Sequence, residues 1–489
     1  MTLTEKFLQG CENFSDKTAI SDERGAVKYC ALLVASRRLA GLFRGLGPGK
    51  NIGICLPSSK ECVASYFALL LNRQAPVFIN PLLSPQQIDY IVKDASLDTV
   101  LTVGHFEDIL GPLVKDCVYL DKIQSTTKSP SGPTVFQTGE EEDTAAIFYT
   151  SGTSANPKGV VLSHRNILSN LEGSIEPFNF TEEDVIMGTL PLFHAFAFTL
   201  TLALPILLGA KVVYTARFSG PKVLEHIEKD RVTFLLAVAS MYRVLLRSAS
   251  SSKYDTSSVR LAVTGGEPVP MDVINSFKDV FNVPLLEGYG LTECSPIVSV
   301  NSPSDYKFGT AGKPLPNLEV KVVDENGSIL PANQDGEIWV KGPSIMKEYL
   351  NQPELTKEAI TPDGWFKTGD FGRFDDDGFL KITGRKKEII IISGENVSPV
   401  EIEDILSHHP KVFEVVVVGV ADKLRGEVPK AFIVLHDNKH ATEDELKVFC
   451  HDKLPHYKIP KYFEFRKELP HGPTGKILKR ALLTSCPVS

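Results

Sequence analysis

The first 120 residues alternate between short apolar runs and longer amphipathic ones. Residues 51–56, NIGICL, read as a strand, and the Pro-Ser-Ser that follows suits a helix start. Residues 60–71 are apolar on one face and predict a helix, and APVFIN after them predicts another strand. This rhythm predicts βαβ units around a mostly parallel sheet. The polar residues 121–143 read as a surface linker, and AAIFYT beyond them as a buried strand entering a loop of Gly, Ser and Thr.

The α/β rhythm continues to about Pro296. Over residues 309–385 the pattern changes to period two: LEVKVVD, GEIWVKG and FLKITG, separated by DENGS and DDDG. That predicts a small antiparallel, barrel-like section. The tail has its own order: strand EIIIIS, helix PVEIEDILSHH, strands FEVVVVGV and KAFIVL, helix TEDELKVFCHDKL, strand YFEFR. The expected fold is therefore α/β, with a large N-terminal domain over 1–384 and a small α+β domain over 385–489. The basic run GRKKE, with Lys387, forms the expected hinge.

Residues 195–210, AFAFTLTLALPILLGA, are the longest apolar stretch. They fall short of the ~20 residues that cross a bilayer, and Pro205 interrupts them, so they read as a buried helix. The start, MTLTEKFLQGCENF, has no targeting pattern, and the expected setting is the cytoplasm. Peripheral membrane contact stays open.

Composition narrows the classes. Of 489 residues, 43% are hydrophobic and 23% charged, which excludes disorder, collagen and coiled coil as the main architecture. A net charge of −8 argues against nucleic acid as a partner. Residues 385–489 nevertheless carry a small basic excess. Eight cysteines without a CxxC pair predict reduced thiols rather than a disulfide or zinc framework.

Four segments carry chemistry. YTSGTSANPKGV, residues 149–160, puts small and hydroxyl residues and Lys158 after a buried strand, a composition that suits phosphate binding. It is not a Walker A loop. In EGYGLTECSP, Tyr289 can stack on a purine, while Glu293 beside Thr292 suits Mg²⁺, which takes few protein oxygens. Asp370 lies in a tight TGD turn, where a carboxylate can accept two ribose hydroxyls. Lys476 lies in PHGPTGKILKR, a glycine-flanked lysine near the end of the chain. Taken singly, each has a plainer structural reading.

In this order and spacing the four segments resemble the adenylate-forming superfamily of acyl-CoA synthetases, peptide-synthetase adenylation domains and luciferases, most closely the fatty acyl-CoA ligases. The resemblance implies a large N-terminal domain of two αβ sheets and a small barrel, plus a C-terminal domain that rotates between two half-reactions. It implies ATP, Mg²⁺ and CoA. An acid is activated to its acyl-adenylate with release of pyrophosphate, then passed to a thiol.

Carried over to this chain, Thr150, Ser151, Gly152, Thr153 and Lys158 would cover the β- and γ-phosphates, although Ser-Ala at 154–155 departs from the common loop pattern. Gly265, Gly266, Glu267 and Tyr289 would frame the adenine. Thr292 would meet the α-phosphate, Glu293 the metal, and Asp370 with Arg385 the ribose. Lys387 matches the hinge, Gly394 the pantetheine channel, and Lys476 the lysine bridging carboxylate and α-phosphate. His194 in LPLFHAFAFTL matches a substrate-channel position, with a packed core histidine as the plainer reading.

No covalent nucleophile is needed, so Cys294 reads as packing. The pocket is expected from residues 193–199, 239–243, 265–267 and 297–298. It offers no Asp to meet an α-ammonium, which disfavours amino acids, because a buried unpaired charge is costly. A medium- or long-chain fatty acid fits, with an aryl acid as the alternative. The acceptor is CoA or, alternatively, an acyl carrier protein. Lys458, Lys461, Arg466 and Lys467 could meet the acceptor's acidic groups or form a solvated face.

Overall fold

The computed structural model describes residues 1–122, 138–150, 156–251, 254–266, 269–392, 395–422, 424–451, 453–470, 477 and 479–483. They pack as two units: Met1–Glu319 with Val340–Phe366, and Val320–Trp339 with Lys367–Ser489.

The first unit holds two sheets. The seven-stranded one runs, edge to edge, Glu348–Tyr349, Lys158–Ser163, Thr144–Thr150, Ala75–Phe78, Asn51–Ile54, Thr99–Thr102 and Asp116–Tyr119. Its central pairings are parallel, and the two at the Glu348–Tyr349 edge are antiparallel. The nine-stranded sheet is parallel from Thr18–Asp22 through Lys211–Tyr214, Val185–Gly188, Phe234–Leu236 and Leu261–Gly265 to Leu285–Gly290. The predicted βαβ rhythm is thus present. Most of the inner strands are buried throughout, as strands covered by helices on both faces must be. Residues 123–137 of the expected linker lie outside the described residues.

The segment read as one buried helix is built in three pieces: α over Ala195–Ala197, π over Phe198–Ala203, and α over Leu204–Leu208. Pro205 is the cause. It has no N–H to give to the carbonyl of Thr201, and Tyr214 donates its hydroxyl there instead, at 2.6 Å. The widened turn delivers Phe198 into a buried aromatic cluster. Its ring lies 5.0–5.3 Å from those of Tyr66, Phe78 and Phe148, which come from the neighbouring helix and sheet. Among the described residues no helix is long and apolar enough to cross a membrane.

The second unit holds the short alternating strands as a four-stranded sheet, ordered Glu319–Val323, Gly336–Lys341, Phe366–Phe374 and Leu380–Arg385. A five-stranded sheet of Glu395–Val397, Ile390–Ile392, Gly426–Leu435, Val412–Asp422 and Tyr462–Arg466 carries the helices Pro399–Ser407 and Glu443–His451. The last helix, Lys479–Leu483, is tied down by charge. Lys479 Nζ lies 2.8 Å from Glu388 Oε2 and 3.2 Å from Glu403 Oε1. Burial raises the Glu403 carboxyl, and its two carboxylate neighbours in turn raise Lys479 against the pull of burial. Lys479→Met would leave two carboxylates facing each other without their cation. We expect a loss of about 2–3 kcal/mol in urea unfolding, because orphaning a largely buried charge is expensive. Adding Glu403→Gln should recover part of it. An unchanged unfolding midpoint in Lys479→Met would rule out the ion pairs as an anchor.

Candidate active site

The expected phosphate loop grows from a hairpin. Strands Thr144–Thr150 and Lys158–Ser163 pair antiparallel, with Thr150 opposite Lys158 at its mouth. Ser151, Gly152 and Thr153 lie outside the described residues. Below the mouth, Tyr149 donates its hydroxyl to Asp94 Oδ2 at 2.6 Å. Gly159 is needed for close approach: a Cβ there would stand 3.1 Å from both Leu350 Cβ and Tyr149 Cζ. That closeness lets the short Glu348–Tyr349 strand dock on the hairpin, Tyr349 opposite Val160.

Docking brings together residues far apart in sequence. Lys158 Nζ stands 5.1 Å from the centre of the Tyr349 ring. The Tyr349 hydroxyl donates to Glu293 Oε1 at 2.9 Å. The Met346 N–H donates to the Glu293 carbonyl at 2.8 Å, holding the backbone of the same residue. Thr292, Glu293 and Cys294 form a single 3₁₀ turn. Buried Asn170 secures its exit, giving its amide to the carbonyls of Cys294 and Ile297 and accepting from the Ile297 N–H. Cys294 is fully buried, in keeping with a packing role. Tyr349 and Asn170 were missed by sequence reasoning, because neither lies in a glycine-rich or charged segment.

Among the described residues no three His, Cys, Asp or Glu side chains cluster as a complete metal cage. Glu293 on its own fits Mg²⁺, which takes one or two carboxylates and fills its shell with phosphate oxygens and water.

The ends of strands Leu261–Gly265 and Leu285–Gly290 lie side by side, Gly265 opposite Gly288. A Cβ on Gly265 would come within 3.1 Å of the Gly288 carbonyl and 3.6 Å of the Phe196 ring. Gly266 follows at φ +87° and faces open space. Tyr289 is half-buried at the next strand's end. Glu267 lies outside the described residues. His194 begins the Phe196-bearing segment, its ring centre 4.6 Å from that of Phe193. Its Nε2 is buried with no partner among the described residues, and burial pushes the ring down to about 4. It is therefore a neutral imidazole with one buried nitrogen that has no hydrogen-bond partner among the described residues.

In the second unit Asp370 stands opposite Arg385, whose Nε lies 2.9 Å from Asp370 Oδ1. The Asp370 side chain is buried and that of Arg385 half-exposed. The Asp370 N–H donates to Thr368 Oγ1, which in turn donates to the Ile338 carbonyl at 2.7 Å. The aspartate is thus held at a strand position while its partner reaches solvent. Lys387 falls in the short turn Lys386–Glu388. Its side chain, together with Gly394 and Lys476, lies outside the described residues.

The basic face foreseen for an acceptor is largely neutralised by its own neighbours. Lys458 pairs with Glu401 at 2.7 Å, Lys461 with Asp422, and Arg466 with Glu464 at 2.7 Å.

Two buried imidazoles set a pH dependence. His164 Nδ1 accepts the Leu3 N–H at 3.2 Å, and burial holds this ring too at about 4, against a usual 6.5. A depressed imidazole is protonated more readily in the unfolded chain, so its stabilisation is full above pH 6.5 and is lost as pH falls toward 4. We expect urea unfolding at pH 5 to show about 2 kcal/mol less stability per imidazole than at pH 7. His194→Gln should remove its share of that slope. A flat profile would mean that both rings charge freely.

A family profile described as AMP-binding enzyme matches residues 7–350, and one described as AMP-binding enzyme C-terminal domain matches residues 401–476. The chain is 33% identical over 527 residues to a long-chain-fatty-acid–CoA ligase of Bacillus subtilis, covering 99% of this chain and 94% of that one. The structure of ATP-bound MatB from Rhodopseudomonas palustris superposes with a TM-score of 0.91 at 29% identity, covering 99% of this chain and 98% of that one. O-succinylbenzoate coenzyme A synthetase from Bacillus subtilis, in complex with ATP and magnesium ion, superposes with a TM-score of 0.89 at 31% identity, covering 98% and 99%.

Proposed function

The chain belongs to the family of AMP-binding enzymes and is an AMP-forming acid–thiol ligase using ATP, Mg²⁺ and CoA, and from that premise we propose that its acid is a medium- or long-chain fatty acid. One observation carries the substrate reading. The segment from His194 to Leu208 holds no carboxylate and no ammonium, and its buried His194 Nε2 has no hydrogen-bond partner among the described residues. An alkyl tail suits such a wall, and an α-ammonium has no partner there. The likeness to a long-chain-fatty-acid–CoA ligase supports the same reading. An aryl acid is the second reading, supported by the likeness to a synthetase for o-succinylbenzoate.

In our reading the carboxylate oxygen attacks the α-phosphorus, pyrophosphate leaves, and the thiol then attacks the acyl carbon to release AMP. The first step brings anions together, so positioning and charge neutralisation supply most of the catalysis. Thr150, Ser151, Gly152, Thr153 and Lys158 hold the β- and γ-phosphates, and Thr292 the α-phosphate. Glu293 would hold Mg²⁺, which when bound would supply charge neutralisation on the phosphates. Gly265, Gly266, Glu267 and Tyr289 frame the adenine, Asp370 and Arg385 bind the ribose, and His194 meets the acid. Lys476 crosses from carboxylate to α-phosphate. Lys387 is the pivot between a domain over 1–384 and one over 385–489, and Gly394 borders the channel for the pantetheine arm. CoA is the preferred acceptor, with an acyl carrier protein as the alternative, and the likeness to a CoA ligase supports that preference. Seven free cysteines among the described residues suit the cytoplasm.

ATP–pyrophosphate exchange across fatty, aryl and amino acids tests the substrate: fatty acids of medium to long chain should give the highest kcat/KM. Benzoates or amino acids outperforming every fatty acid would overturn the assignment.

Lys476→Ala separates the half-reactions. It should slow adenylation by about 10²–10³-fold, the scale of losing one preorganised charge donor. Given synthetic acyl-adenylate and CoA, the same variant should form thioester at nearly the wild-type rate. Equal impairment of both steps would remove Lys476 from the adenylation role.

A further inference from the structure

Glu293 and Lys158 lie 135 positions apart in sequence, yet both touch one side chain, Tyr349. Its hydroxyl reaches the carboxylate at 2.9 Å, and its ring lies under the ammonium at 5.1 Å, inside the ~6 Å range of a cation–π contact. The backbone of Tyr349 is fixed by antiparallel pairing with Val160, two residues beyond Lys158 on the same strand. Glu293 is held from its own side by the Met346 N–H on its carbonyl. The ring itself is largely buried, which with the adjoining carboxylate keeps the phenol protonated and therefore a donor.

We propose that Tyr349 is a positioning residue for adenylation. It holds the metal-binding carboxylate of Glu293 in register with the phosphate-binding ammonium of Lys158. The inference rests on the roles given above to those two residues. Its physical content is specific. A carboxylate beside a triphosphate is repelled by it and, without a fixed donor, turns away. A lysine on a flexible stem likewise explores many rotamers. A single phenol restrains both, one by a charge-assisted hydrogen bond and the other by its ring face, and the sheet pairing sets the spacing between them. Neither contact requires Tyr349 to touch the acid or the nucleotide.

The two halves separate by mutation. Tyr349→Phe keeps the ring face for Lys158 and removes the hydrogen bond to Glu293. It should raise the Mg²⁺ concentration needed for half-maximal ATP–pyrophosphate exchange by about 10- to 100-fold, the scale of a hydrogen bond to a charged group. Mn²⁺ binding in the presence of ATP, followed by electron paramagnetic resonance without any acid, should weaken by a similar factor. Thioester formation from synthetic acyl-adenylate should be unchanged. In a Glu293→Gln background the same substitution should have no further effect on Mn²⁺ binding. Tyr349→Leu, which removes the ring face as well, should also raise the KM for ATP.

A merely structural tyrosine would give a different pattern: a lowered Tm, equal losses in both half-reactions, and an unchanged metal requirement. That pattern would overturn the proposal. Should Tyr349→Phe unfold, p-aminophenylalanine at position 349 keeps the ring and a neutral donor. The metal requirement should then stay within a few-fold of wild type, and a rise as large as that expected for losing the donor would overturn the proposal. A wild-type protein that binds no Mn²⁺ with ATP would instead sink the parent assignment of Glu293.

Discussion

Bringing a carboxylate against the phosphates of ATP opposes like charges, and in the proposed roles the charged groups of the first unit answer that repulsion. Positive charge and hydrogen-bond donors must be held where the anions meet, and held before the reaction, because a group that moves into place pays for its reorganisation during the reaction. Strand pairing supplies the rigidity. The Thr144–Thr150 and Lys158–Ser163 hairpin sets Lys158 at its mouth, and the Glu348–Tyr349 strand docks on it through the gap left by Gly159. The 3₁₀ turn of Thr292 and Glu293 is then held by Tyr349, Met346 and Asn170. In the proposed roles the chemistry would depend on a sheet edge, the pairing of Glu348–Tyr349 with the hairpin.

On the proposed substrate, the acid's side of the site meets the opposite requirement. An alkyl tail would gain from leaving water, and any charge in its path would be buried without compensation. The break in the buried segment at Pro205 and the wide turn before it place Phe198 among Tyr66, Phe78 and Phe148, while His194 remains at the segment's start as a neutral ring. A neutral imidazole adds no charge to its apolar surroundings. Polar and apolar demands are thus met by neighbouring stretches of one chain.

The second unit shows how charge is managed where motion is the reading. Asp370 is buried against Arg385, which itself reaches solvent, and Lys479 answers two carboxylates beside the proposed hinge. Lys458, Lys461 and Arg466 have acidic partners close by. Pairing of this kind offsets the positive charge of these side chains locally.

The amino-acid pattern by itself determined the α/β rhythm of the first unit, the change to short alternating strands after residue 309 and the order of strands and helices in the tail. Each depends on periodicities of two and 3.6 residues, which are local properties of the chain. It also determined the four chemical segments, because glycines, hydroxyls and a lysine in a short span are visible without a fold. Only the tertiary structure decided the rest. Pro205 marked a break, but the wide turn in front of it required Tyr214, from a later strand, to take over the Thr201 carbonyl. The charges of Lys458, Lys461 and Arg466 were legible; the partners of the first two were not, since Glu401 and Asp422 lie on other elements, whereas Glu464 stands two residues before Arg466 on the same strand. Tyr349 could not be singled out at all. Its meaning comes from pairing with Val160 and reaching Glu293, contacts between residues 56 and more positions apart, and such contacts leave no periodic trace in the sequence.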